Sequence, residues 1–490
     1  MRRLIRRIKR LSITALVIII GIMGIKTIAF TSRQVNIASV EALPVEDGVA
    51  DRLAGAIQFP TLSTSTTVDT AALLGFGAFL QQQFPMVDSL LERRVINRLS
   101  YVYKWPGLNP KLPSILLMAH QDVVPVEESA GSEWAFPPFS GEIAEGFIWG
   151  RGALDDKSSL LAILEAVERL LKEGYAPQRT IYLAFGHDEE VGGLNGAQQI
   201  AAYFKREGIQ FEYVLDEGTM VLEKPLAGLN QPLAMIGIAE KGYVTLSVSV
   251  QLEEAGHSSM PPSQTAIGIL SQALARLQDN PFPAHINGAT DLFFDYVGPE
   301  MTPLFKVLFA NRWLTGGLIK QQLSSDPAAN AIIRTTSAPT IISGGIKENV
   351  LPATATARVN FRILPGDNIE SVLAYVRKVI QDQRVSVEVW KKDEAMNPSS
   401  VSGVNTFGFE AIQRTTQEIF PEAIVAPALM IGATDSRHYT EVAANIYRFM
   451  PVQLTHNDLS RYHGINECIS LDNYKRMIRF YRQLILNSCK

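Results

Sequence analysis

The sequence predicts an α/β fold: a mainly parallel central sheet interrupted by an inserted α+β lid, with a transmembrane helix at the N-terminus. Three observations predict it. Apolar strand-like runs alternate with helical runs from about residue 110 to 220, as β-α-β units do. At "EKGYVTLSVSVQ" the pattern changes to the strict alternation of a half-exposed antiparallel strand. After about residue 395 the α/β character returns. At 490 residues the chain is too long for one compact core, so more than one domain is expected.

The N-terminus is distinct. "MRRLIRRIKR" carries six positive charges and no negative one, and "LSITALVIIIGIMGI" follows. With Lys26 snorkelling, Leu11 to Phe30 reaches the roughly 20 residues a bilayer span needs. The basic flank 1–10 is expected to stay cytoplasmic, placing the rest on the periplasmic, extracellular or lumenal side. No clear A-x-A site follows the apolar run, so an uncleaved anchor over 11–30 is expected rather than a cleaved signal peptide.

A linker to about residue 45 leads into the first catalytic segment, 45–239. "SILLMAHQDVV" reads as a buried strand. "KSSLLAILEAVERLLKEG" reads as an amphipathic helix with a stripe of Leu160, Leu161, Leu164, Val167 and Leu171 and a C-cap at Gly174. "RTIYLAFGHDEE" is a strand ending in charge, "GAQQIAAYFKREG" a helix, and "FEYVLDEG" a strand. The lid, 240–394, holds the strands "TATARVNFRIL" and "VSVEVW" around the helix "IESVLAYVRKVIQDQ". Within it, "FFDYVGPEMTPLFKVLFANRWLTGGLIKQQL" is rich in large apolar residues but too interrupted to span a membrane. The second catalytic segment, 395–490, holds helices near 404–419 and 471–487 around "IVAPALMIGATDSRHY".

Composition narrows the function. A net charge of −4 gives no basic excess, so no nucleic-acid partner is expected. The two cysteines, Cys468 and Cys489, exclude a disulfide scaffold and a Cys-rich zinc module, so any metal must be held by His and carboxylates. No G-x-S-x-G elbow supports a serine hydrolase.

Four segments share a form: "LLMAHQD", "GRGALDDKS", "LAFGHDEE" and "YVLDEG" are apolar or turn segments ending in His or carboxylates. Singly, each reads as an ordinary turn or solvated loop. Together they gather at the carboxyl ends of strands, where ligands bind in open α/β sheets. Acids gathered there repel one another unless a cation sits among them. His120 is then a metal ligand, and Asp122, two residues on, could orient its imidazole.

The pieces "HQD", "GRGALDDKS", "GHDEEVGG", "VLDEG", "EKG", "GHSSMPP", "ENVLPATATARVNFR", "GATDSRHY" and "YHGINE" run in this order from about residue 110 to 470. In that order they resemble the dizinc aminoacylase and carboxypeptidase family of metallopeptidases, nearest its carboxypeptidase S and N-fatty-acyl-amino-acid synthase/hydrolase branch. The resemblance implies a zinc-peptidase-like catalytic domain and two Zn2+ per chain. His120 and Asp216 would complete one site, Glu190 and His463 the other, with Asp155 bridging. It implies Glu189 as general base, Asp122 in support, and His257 as a catalytic histidine often supplied by a partner subunit, hence a homodimer through the lid. It implies Asn349 and Arg362, with Gly432 and Arg437, as substrate contacts. His187, His285, His438 and His456 are left as structural or surface residues. The expected activity is hydrolysis of an amide bond that releases an amino acid with a free carboxylate, from a small peptide or an N-acyl amino acid. The alternative is a catalytically inactive binding protein on the same fold.

Overall fold

Ile115 to Ala119 is apolar at every position, a pattern that only a strand covered on both faces tolerates. In the computed structural model, which describes residues 2–40, 45–64, 67–126, 133–223 and 226–490, the strand Ser114–His120 lies inside a ten-stranded sheet. Residues 41–44 of the expected linker fall outside the described residues. Ser114–His120 pairs in parallel with Ile181–Gly186 on one side and Phe211–Asp216 on the other. Ile446–Arg448 continues the parallel run, and Ile424–Met430 lies parallel to Leu233–Glu240.

The sheet is nevertheless mixed, which corrects the mainly parallel expectation. The hairpin Glu92–Ile96 and Ser100–Trp105 adds an antiparallel edge against Ile181–Gly186, and Ile446–Arg448 meets Leu233–Glu240 antiparallel. A hairpin edge needs only a tight turn, whereas each parallel neighbour needs a crossover.

The helix Lys157–Lys172 departs from the amphipathic expectation in an informative way. It is buried almost all round, because helices Val49–Ile57, Pro85–Leu90 and Leu471–Ser488 cover its outer face. Its two buried acids are satisfied: Glu165 accepts a fork from Arg52 at 2.5 and 2.6 Å, and Glu168 accepts the Met86 and Val87 amides. Gly174 adopts φ +71°, the left-handed cap that ends the helix.

A second sheet, all antiparallel, runs Thr336–Gly344, Thr354–Ile363, Gly242–Gln251, Val385–Trp390. Helices Ala266–Asp279 and Ile369–Ile380 cover one face, and a hydrophobic core of its own joins Val244, Leu246 and Val248 to Phe361 and Val376. The apolar stretch 293–323 does not pack there. Helix Gly288–Val297 lies on Ile424–Met430, and Phe293, Phe294, Phe309 and Ile319 join the core of the large sheet. The first helix, Arg2–Ala29, is long and apolar enough to cross a membrane by length and composition.

Candidate metal centre

His120 is the last residue of its strand, and its backbone is fixed by pairing on Ile181–Gly186. Its side chain is buried, with Nε2 2.9 Å from Asp155 Oδ1 and Nδ1 3.4 Å from Asp122 Oδ1. The other oxygen of Asp155 lies 2.6 Å from His463 Nε2, so one carboxylate faces two imidazoles. Glu190 Oε2 is 3.5 Å from the same His463 nitrogen, and Glu190 Oε1 is buried without a hydrogen-bond partner. Asp122 receives the Glu189 and Glu190 amides, one on each oxygen, at 3.1 Å. This second role fixes the turn that carries both glutamates.

The adjacent acids Asp216 and Glu217 divide differently from the expectation. Asp216 ends its strand with both oxygens already used: Oδ1 accepts the Glu217 amide at 3.0 Å and Oδ2 the Ser436 amide at 2.8 Å. Glu217 instead reaches the cluster, with Oε1 3.6 Å from His120 Nε2 and Oε2 accepting from the Tyr462 hydroxyl at 2.9 Å. Asp156 also turns inward; its Oδ1 is buried without a partner. Two groups have donor atoms close enough to share an ion: His120, Asp155 and Glu190, and His120, Asp156 and Glu217. Sequence reasoning missed Glu217 and Asp156, although each stands beside an acid it did single out.

The electrostatics suit a bound positive charge. Burial pushes Glu189 up to about 7 and Glu190 to about 10, with Asp155 adding to both. Burial, then Asp155 and Asp156, raises Glu217 well above the carboxylate range. Against its own burial, bonds to His120 and His463 hold Asp155 low. A site that forces several buried acids toward protonation while leaving carboxylate oxygens unpaired fits divalent cations held by imidazole and carboxylate.

The expected substrate contacts separate into two sets. Arg437 lies on the loop that docks on residues 189–193, where His438 Nε2 is 3.0 Å from the Gly192 carbonyl, and its charge is felt by both Glu189 and Arg362. Arg362 stacks over Tyr243 at 5.0 Å and, among the described residues, pairs with no carboxylate. Gly432 is half-buried on the same late loop. His257 lies on a small ribbon against Val350, next to Asn349, and the Ser258 amide donates to the Asn349 carbonyl at 3.1 Å. His257 is exposed, and no hydrogen bond or ion pair among the described residues joins it to the acid cluster. Of the histidines left as structural, His187 is buried with Nδ1 2.6 Å from Ser100 Oγ.

The chain is similar in sequence and fold to known proteins. Residues 116–487 match the model of peptidase family M20/M25/M40. The chain is 42% identical to a probable carboxypeptidase S-like 2 of Dictyostelium discoideum, covering 96% of this chain and 93% of that protein. It is 39% identical to an N-fatty-acyl-amino acid synthase/hydrolase of Xenopus tropicalis, covering 97% and 94%. Among solved structures, an M20 family metallo-carboxypeptidase from Sulfolobus solfataricus superposes with a TM-score of 0.65 over 90% of this chain and 99% of that one, at 18% identity.

Proposed function

The chain belongs to peptidase family M20/M25/M40 and is a hydrolase of the metallopeptidase type; from that premise we propose that it uses two zinc ions to cleave an amide bond and release an amino acid with a free carboxylate. The observation that carries the reading is Asp155, with one oxygen toward His120 and the other toward His463 in a pocket of surplus acids. His120, Asp155, Glu190 and His463 would hold the ions, with Glu217 in the place first given to Asp216. Ions held there supply Lewis acidity toward the scissile carbonyl and toward water.

The chain's own groups do the rest. Glu189, raised toward neutrality by burial, accepts a proton from the attacking water and passes it to the leaving amine. Asp122 holds Glu189 in place through its amide. Arg362 and Arg437, two guanidinium groups near enough to feel one another's charge, attract the substrate carboxylate and orient the amide beside Glu189. Names of relatives in both classes support two substrates, an N-acyl amino acid and a peptide trimmed at its C-terminus. We favour the N-acyl amino acid, and the supporting fact is the membrane-length N-terminal helix, since such amphiphiles partition into bilayers.

The same reading makes residues 11–30 an uncleaved anchor, with the catalytic unit on the non-cytoplasmic side, and the second sheet a lid. Strand Thr336–Gly344 is an edge exposed along nearly its whole length, including Ile341 and Ile342, and suits pairing with a second copy that would supply His257. Nothing supports the inactive alternative. The deciding experiment measures metal content and amide hydrolysis before and after chelation. Two ions per chain and activity restored by Zn2+ are expected; full activity in metal-free protein overturns the reading.

A further inference from the structure

The N-terminal helix does not leave the protein as a bare stalk. From Arg3 to Ala29 it is exposed except at Ile19, Met23 and Thr27, with Phe30 continuing the stripe. That spacing is one helix face. The face is met by the short helix Pro303–Ala310 and by Asn311, which joins it to a second short helix, Arg312–Leu323. Asn311 Nδ2 donates to the Met23 carbonyl at 3.4 Å and to Thr27 Oγ1 at 3.2 Å. Lys26 Nζ lies 5.9 Å from the centre of the Trp313 ring. Arg33 and Asp295, 3.1 Å apart, secure the chain just beyond Phe30.

This contact fixes a height. A span of about 20 residues needs the whole run from Leu11 to Phe30. Met23 lies seven residues before Phe30, about 10 Å along the axis at 1.5 Å per residue. Asn311, bonded to Met23, therefore lies about 10 Å inside the outer end of that run, at the limit of the roughly 5–10 Å to which interfacial helices bury their apolar face.

The outward side of the two helices suits that position. Leu304 is 69% exposed, Trp313 and Leu314 51%, and Leu318 60%. Between Met301 and Ser325 there is no acidic residue, and the three basic ones are Lys306, Arg312 and Lys320. Arg312 turns inward to Asp291 and Asp295, leaving the two lysines for phosphate. Exposed Trp and Leu beside Lys, without acids, is the composition of an element lying in a membrane interface.

We propose that helices Pro303–Ala310 and Arg312–Leu323 are a second membrane-contact element, seated in the interface of the bilayer that the N-terminal helix crosses. The inference rests on the anchor reading. The occupant is lipid, and continuity with the spanning helix is what selects it over a second copy of the chain.

The test uses the full chain in vesicles of phosphatidylcholine with phosphatidylserine, part of the former brominated near the top of its acyl chains. Flotation is measured first. Failure to float removes the anchor, and this element with it. In floating protein, tryptophan quenching by the brominated lipid is compared with that of Trp313→Phe. Trp105, Trp134 and Trp149 are buried and Trp390 half-buried, so most of the quenching should disappear with Trp313. A triple change of Leu304, Leu314 and Leu318 to Ser should still float but show reduced quenching. Flotation with unchanged quenching in Trp313→Phe overturns the proposal while leaving the anchor intact. Disulfide linkage between chains in Leu314→Cys, with Trp313 shielded from lipid, assigns the face to a second copy and also overturns it.

Discussion

The Asp155 amide donates to Glu467 Oε1 at 3.1 Å, so the acid that faces both His120 and His463 is held by a residue far along the chain. The same oxygen accepts the Gly152 and Leu154 amides at 3.0 and 2.8 Å. Glu467 Oε2 pairs with Arg151 at 2.6 Å, and Arg151 donates on to the His463 carbonyl at 3.1 Å. One buried carboxylate thus ties the loop carrying Asp155 to the loop carrying His463. Removing one partner of a buried pair costs about 3–5 kcal/mol. Glu467→Gln should lower the melting temperature by several degrees and also weaken metal retention. Calorimetry with metal analysis after dialysis checks both; unchanged retention would confine Glu467 to stability.

The Asp216 and Glu217 assignments can be separated. Glu217→Ala should lose about one of two ions, because its carboxylate faces His120. Asp216→Ala should keep the metals and instead loosen the loop at Ser436, lowering thermal stability by about 1–3 kcal/mol for the two amides left unbonded. Metal content of the two proteins decides, and the reverse result returns the ligand role to Asp216.

Glu189→Gln preserves size and removes the proposed base. Turnover should fall by about 10²-fold or more while metal content stays near normal. Loss of metal in this variant would mean that Glu189 and Glu190 exchange roles.

These residues also show what the sequence could convey. Acids and histidines at strand ends were legible because apolar runs stop there abruptly, as at Ala119–His120 and Gly186–His187. The choice between Asp216 and Glu217 was not legible. Successive side chains on a strand point to opposite faces, so it depends on the residue at which the strand lets go. The apolar stretch 293–323 was visible, but its partner was not. Its inner residues pack on the large sheet and its outer ones stay exposed, a division that periodicity cannot assign to a distant layer. The antiparallel hairpin at 92–105 carries charged residues along its outer strand, a weak signal for sheet membership.

Lys241 gives a pH dependence. Its Nζ donates to the Ala331 and Arg334 carbonyls at 2.8 Å, and burial, helped by Arg362, lowers it from 10.5 to about 7. In the unfolded chain it titrates near 10.5, so between about 7 and 10.5 the unfolded state binds more protons. Stability from this group therefore rises with pH across that window, by at most about 1.4 kcal/mol per unit. Below pH 7 both states are charged and the burial cost is constant. The melting difference between the wild type and Lys241→Met should shift in favour of the wild type as pH rises from 7 to 10. A difference that is flat across this range would show that Lys241 stays charged in the fold.

The substrate carboxylate is the last expectation. Arg362 is half-buried and stacked on Tyr243, and it feels the positive charge of Arg437 while pairing with no acid among the described residues. Two guanidinium groups so placed repel one another, and an incoming carboxylate relieves the repulsion while gaining a forked contact. Hydrogen bonds to charged groups contribute about 1.5–3 kcal/mol, or roughly 10- to 10²-fold in kcat/KM. An N-acyl amino acid should therefore be cleaved faster than its carboxamide by that factor, and Arg362→Ala should erase the difference while leaving the slower carboxamide rate nearly unchanged. Equal rates on acid and carboxamide in the wild type would remove Arg362 from substrate binding. A preference for a short polar dipeptide over the N-acyl amino acid would keep the carboxylate contact but move the enzyme to C-terminal trimming of peptides.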